Sequence, residues 1–152
     1  MKRVLVYNEE GLDMSDYNFN KELNEAIRAG ETALFSLKAA KKQLNSASNW
    51  GLLDLFGGGN VSGLIKHMKV NNANNCLYRA KADLTSFRRE LSDIDTYIPD
   101  LEVGAFLTFA DFFFDGLLAD IIVQSKIKDM KRQVEDAINK TEQLLARLKG
   151  YR

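Results

Sequence analysis

Between Ala73 and Ile98 the apolar positions fall at Ala73, Leu77, Ala80, Leu84, Phe87, Leu91, Ile94 and Ile98. Steps of four and three alternate without a fault, which is the seam of a long amphipathic helix with coiled-coil-like packing. The seam ends at Ile98 because Pro99, the single proline of the chain, disfavours helical backbone at the residue before it. Two other segments keep the same rhythm. Leu23, Ile27, Gly30, Leu34, Leu37, Ala40 and Leu44 form a stripe within residues 20–47. Ile127, Met130, Val134, Ile138, Thr141, Leu145 and Leu148 form another, with Gly150 as a stop. Asn20 is placed to cap the first of these helices, with Glu22 in its first turn. Gly30 lies on the stripe, where glycine costs about 1 kcal/mol against alanine. Close approach of a neighbouring helix is the expected compensation.

None of these stripes can be buried by one helix alone. The pattern therefore predicts an all-α fold: an elongated antiparallel bundle of three long helices, with one or two short helices at one end. Residues 1–152 form a single domain, in which residues 1–15, including "RVLVY", are a flexible or strand-like arm. Residues 60–70 predict a short helix leading into the second long one. Residues 104–122 are apolar nearly all round, as in a helix buried centrally or within an oligomer interface. A break near Gly116 or Gln124–Ser125 separates this helix from the last.

The connector "NWGLLDLFGGGN", residues 49–60, combines apolar mass with backbone freedom. Trp50, Leu52, Leu53, Leu55 and Phe56 are expected to plug the open end of the core. Gly57, Gly58 and Gly59 then permit a tight reversal, and Asn60 or Ser62 caps the next helix. Glycines before a helix can also expose N–H groups to a phosphate. The Walker spacing and the G-x-G-x-x-G turn after a strand are both missing, so the structural reading is preferred.

Charge narrows the partners. The 152 residues hold 21 Lys and Arg against 21 Asp and Glu, so no global basic field favours nucleic acid. Between Glu90 and Ser125 there is no Lys, Arg or His. Residues 101–123 have the length of a membrane span, but Asp111, Asp115 and Asp120 lie inside it. At about 2.5–3.5 kcal/mol each near a bilayer centre, they favour a buried helix of a soluble protein. Cys76 is the only cysteine, which suits a reducing cytoplasm, and the N-terminal apolar run is too short for a secretory signal.

A few polar residues have no evident place in a plain bundle. Asp54 and His67 flank the glycine turn, while Asp111 and Asp115, four apart, share one helical face and Asp120 lies on another. Asp54, His67, Asp111 and Asp115 are the set that could hold a divalent metal or do acid–base chemistry. No Glu-x-x-His pair or Cys cluster supports this, and no cofactor or catalytic residue is predicted. The competing reading is that each Asp accepts hydrogen bonds from another helix, with Arg79, Arg88 and Arg89 as candidate donors. Phe106, Phe109, Phe112, Phe113 and Phe114 offer more aromatic surface than one helix usually hides within its own chain.

"WGLLDLFGGG", the following Lys66–His67 and "FADFFFDGLLAD" together resemble an uncharacterised group of bacterial helical proteins. The resemblance covers residues 45–125 and implies only that Trp50, Asp54, His67, Asp111, Asp115 and Asp120 belong together. The sequence is best read as a non-enzymatic cytoplasmic helical module for protein–protein contact, through a partner or a homodimer. A metal-binding protein or small metal-dependent enzyme is the alternative. A peripheral membrane coiled coil is disfavoured, because no helix joins a basic face to an exposed aromatic one.

Overall fold

The heptad seams find their partners in one another. The computed structural model describes residues 14–57, 60–98, 101, 103–117 and 127–152, with side chains for 16–46, 72–98, 101, 103–111 and 128–152. Four helices follow in order: α1 (Met14–Gly57), α2 (Asn60–Asp95), α3 (Val103–Leu117) and α4 (Ile127–Lys149). The fold is all-α. No strand occurs among the described residues, and none of their helices is long and apolar enough to cross a membrane.

Cross-helix contacts fix the directions. Phe19 meets Tyr97 with ring centroids 5.8 Å apart, and further along the pair Ser36 donates a hydrogen bond to Asp83. Lys149 pairs with Glu31 at 2.8 Å, Lys38 with Glu142 at 2.8 Å and Lys41 with Glu135 at 3.1 Å. As α1 residue numbers rise, partner numbers fall, so α1 is antiparallel to both α2 and α4. The half-exposed ion pairs stabilise little individually, yet the order of their signs, one acid then two bases along α1 against one base then two acids on α4, favours one register. α3 packs on α2 and on α4. The result is an up-down-up-down bundle in which α1 and α2 extend beyond the short α3.

Every seam residue from Ala73 to Ile98 is buried, as are Met130, Val134, Ile138, Thr141, Leu145 and Leu148 on the α4 seam. Gly30 sits where neighbouring side chains crowd α1: a Cβ there would lie 2.6 Å from Leu145 Cδ2 and 2.9 Å from the Phe87 ring. The glycine is the close-approach point that its place on the stripe implied. Among the described residues two buried positions are polar. Ser36 is satisfied by Asp83, whereas the Thr141 hydroxyl has no partner, leaving an interior donor that costs about 1–3 kcal/mol.

Several boundaries differ from the sequence expectation. Asn20 is not a cap, because α1 already begins at Met14 and takes in the end of the expected arm. The stretch from Asn49 to Gly57 is helical, so most of the expected connector, Trp50 included, is the last turns of α1, which ends at Gly57. Leucines favour helix, and one internal glycine, Gly51, costs only about 1 kcal/mol. Gly58 and Gly59 lie outside the described residues, as does the arm up to Asp13. Residues 60–70 are no separate helix but the first turns of α2. α3 is not wrapped on all sides, since Gly104, Ala105, Thr108 and Asp111 are exposed.

Candidate functional site

α3 is short and strongly apolar, and its two neighbours cover only part of it. Ile98 and Leu101 turn the chain out of α2, Leu101 N–H donating to the Ile98 carbonyl at 3.3 Å. The Leu101 carbonyl in turn accepts from Arg147 Nη1 at 3.3 Å, which ties the start of α3 to α4. One turn further in, Phe106 inserts beside Phe87 with centroids 5.4 Å apart, near edge-to-face. Phe109 stays half-buried, 6.2 Å from Phe106, with Lys140 Nζ 4.9 Å above its ring centroid.

Between α3 and α4 these contacts leave an open groove of about 650 Å³. It is lined by Leu101, Ala105, Phe106 and Phe109 from the α3 side, and by Lys140, Gln143, Leu144, Ala146 and Arg147 from α4. Phe106 and Leu144 form a nearly buried floor. Among the described lining residues two are cations and none is an acid. A groove with an apolar floor and a charged rim suits an amphipathic helix.

Asp111 faces the other way. It is exposed and accepts a charge-assisted hydrogen bond from Arg88 of α2, one of the three arginines that the sequence offered as donors. Asp54 lies in the last turns of α1 and His67 in the first turns of α2, both near the α1–α2 connection. Arg88, and with it Asp111, stands about 31 Å further along α2 than His67, at 1.5 Å per residue. Ligands of one ion sit within about 2.6 Å of it. The backbone therefore does not bring Asp54, His67, Asp111 and Asp115 to a common centre. The side chains of Trp50, Asp54, His67, Phe112, Phe113, Phe114 and Asp115 lie outside the described residues, as does all of Asp120.

The structure instead gathers carboxylates that the sequence reading passed over. Glu22 and Glu25 of α1 meet Glu90 of α2, with one carboxylate oxygen of each within 4.8 Å of the others. Partial burial pushes the Glu90 carboxyl above its ordinary value, and the charges of Glu25, Asp93 and Glu22 push it the same way, while Arg89 opposes them. The signal was present in part: Glu22 and Glu25, three apart, share a face of α1. Glu90 joins them only through the register of α1 against α2.

A raised carboxyl pKa means that the folded chain holds this proton more tightly than the unfolded chain. The contribution is full below the unfolded pKa and is lost as pH rises through the folded value. Glu90→Gln should therefore raise Tm by about 1–3 °C at pH 7, relative to the parent chain. At pH 4 the gain should vanish. Thermal unfolding of both chains at the two pH values checks this, and an equal gain at both would contradict it.

No family model, curated protein or solved structure matches the chain. The groove and the carboxylates must be interpreted from their own chemistry. Of the two, only the groove combines apolar area, aromatic side chains and a charged rim.

Proposed function

We propose that this chain is a non-enzymatic, cytoplasmic helical module for protein–protein contact, and that it works through the groove between α3 and α4. The observation that carries the reading is the open groove itself, with a Phe106 and Leu144 floor and a Lys140 and Arg147 rim. Aromatic and arginine side chains around a recess are the residues that supply most binding energy at protein interfaces. The ligand is a helix, either from another protein or from a second copy, because a groove with an apolar floor and a charged rim between two helices fits the two faces of an amphipathic helix. The lone thiol of Cys76 supports a reducing compartment.

A photo-crosslinking residue at Gln143 tests this in the living cell of origin. It should give discrete covalent adducts with protein, whereas the same residue at Lys42, on the exposed face of α1, should give none. Absence of adducts from Gln143, or equal adducts from both positions, would contradict the reading.

A further inference from the structure

Lys140 and Arg147, the two cations of the groove, are both exposed on α4 and stand seven residues apart, two helical turns or about 10 Å at 1.5 Å per residue. Between them lies Leu144, which with Phe106 makes the apolar floor. The order along this wall is cation, apolar floor, cation. Its complement is a helix with carboxylates at i and i+7 and large apolar side chains at i+3 and i+4, a spacing that keeps all four on one face. We infer that the groove takes such an acidic amphipathic helix from another protein; the inference rests on the groove being an interaction site.

Both cations are oriented before a ligand arrives. Lys140 Nζ sits over the Phe109 ring, and Arg147 Nη1 donates to the Leu101 carbonyl, a contact that engages one of the five N–H groups of a guanidinium. Among the described residues Lys140 has no carboxylate partner. Glu135 and Glu142 of α4 are turned toward α1, where they pair with Lys41 and Lys38. Carboxylates brought to Lys140 and Arg147 act as the flanking charges of a coiled coil do: they fix the register and exclude a basic helix. The described helices of this chain do not supply the complement. Where their described acids stand seven apart, Asp83 and Glu90 flank the buried Phe87, Glu135 and Glu142 are paired with lysines of α1, and Asp129 and Asp136 flank Arg132 and Gln133. The pattern points to a different protein.

Fluorescence anisotropy of labelled synthetic peptides titrated with the full chain is the test. The peptides are about 18 residues long, enough to form a helix, and share one apolar face. Glu, Gln or Lys fills both position i and position i+7. The Glu peptide should bind about tenfold more tightly than the Gln peptide, and the Lys peptide more weakly than either. Sodium chloride at about 500 mM should narrow these differences. In the Lys140→Glu chain, with its helical circular dichroism intact, the tightest binder should become one of the two mixed peptides, with Lys at one position and Glu at the other. A merely structural loss would weaken every peptide alike and overturn the inference. Glu and Gln peptides that bind equally overturn the acidic preference and leave the groove as an interaction site. Peptide affinity that falls as the chain becomes more concentrated, alongside a rising sedimentation coefficient, assigns the groove to a second copy and overturns the inference. If no peptide binds at chain concentrations up to about 500 µM, the acidic helix is overturned and the broader reading is decided by the Gln143 cross-linking result.

Discussion

Phe87→Ala is expected to remove about 3–5 kcal/mol of stability. The side chain is completely buried and packs where three helices meet: against the α1 backbone at Gly30, beside Phe106 of α3, and within the α2 seam between Leu84 and Leu91. Truncation removes the transfer energy of the ring and the edge-to-face contact with Phe106, and leaves a void that rigid helix backbones cannot fill. Loss of that contact also loosens α3, because Phe106 is one of its buried anchors. Denaturant unfolding monitored by circular dichroism gives the magnitude. A loss below about 1 kcal/mol would mean that the junction is not packed as described.

Gly30→Ala is the second large effect, and its sign is informative. In an exposed helix the change would add about 1 kcal/mol. Here the new methyl would stand 2.6 Å from Leu145 Cδ2 and 2.9 Å from two Phe87 ring carbons, distances that require movement. The Leu145 methyl can turn aside, but the Phe87 ring is enclosed on every side. Overpacking of this kind costs about 1–3 kcal/mol, enough to cancel the propensity gain and leave a net loss. The coupling with Phe87 makes the prediction sharper. Gly30→Ala should be tolerated better in a Phe87→Leu background than in the parent, so that the double variant is more stable than the sum of the single changes implies. Additive losses would place the methyl in open space and contradict the close approach of α1 to α2.

Both positions were visible in the sequence, for different reasons. The α2 and α4 seams were legible residue by residue because each helix buries one narrow stripe, and steps of three and four mark such a stripe directly. α1 was less so. It is held between α2 and α4 and buries a wider arc, which takes in Ala26, Ala33 and Ser36, while Leu34 of the expected stripe is only half-buried. Small residues on a wide arc carry little hydrophobic signal. The stretch around Trp50 was read as a connector because the glycines after it outweighed its leucines, yet the helix runs through to Gly57, the first of the three. The pairing of Asp111 with Arg88 was among the alternatives the sequence allowed, since both residue types and their helices were already in place. The Glu22, Glu25 and Glu90 cluster and the groove were not legible. Each depends on the offset between helices distant in sequence, and the groove depends further on α3 being too short and too thinly covered to close against α4.

The groove as an interaction surface is the central claim, and a dilution series of two-dimensional amide NMR spectra on uniformly labelled full-length chain tests it most directly. On dilution from about 500 µM to about 10 µM, or on addition of an acidic amphipathic helical peptide, the amides of Leu101, Ala105, Phe109, Lys140, Gln143 and Arg147 should shift together along one binding curve. Those of Arg28, Phe35 and Lys42, on the outer face of α1, should stay fixed. Shifts confined to the outer face of α1, or groove amides unmoved both by dilution and by an added acidic amphipathic helical peptide, would contradict the account.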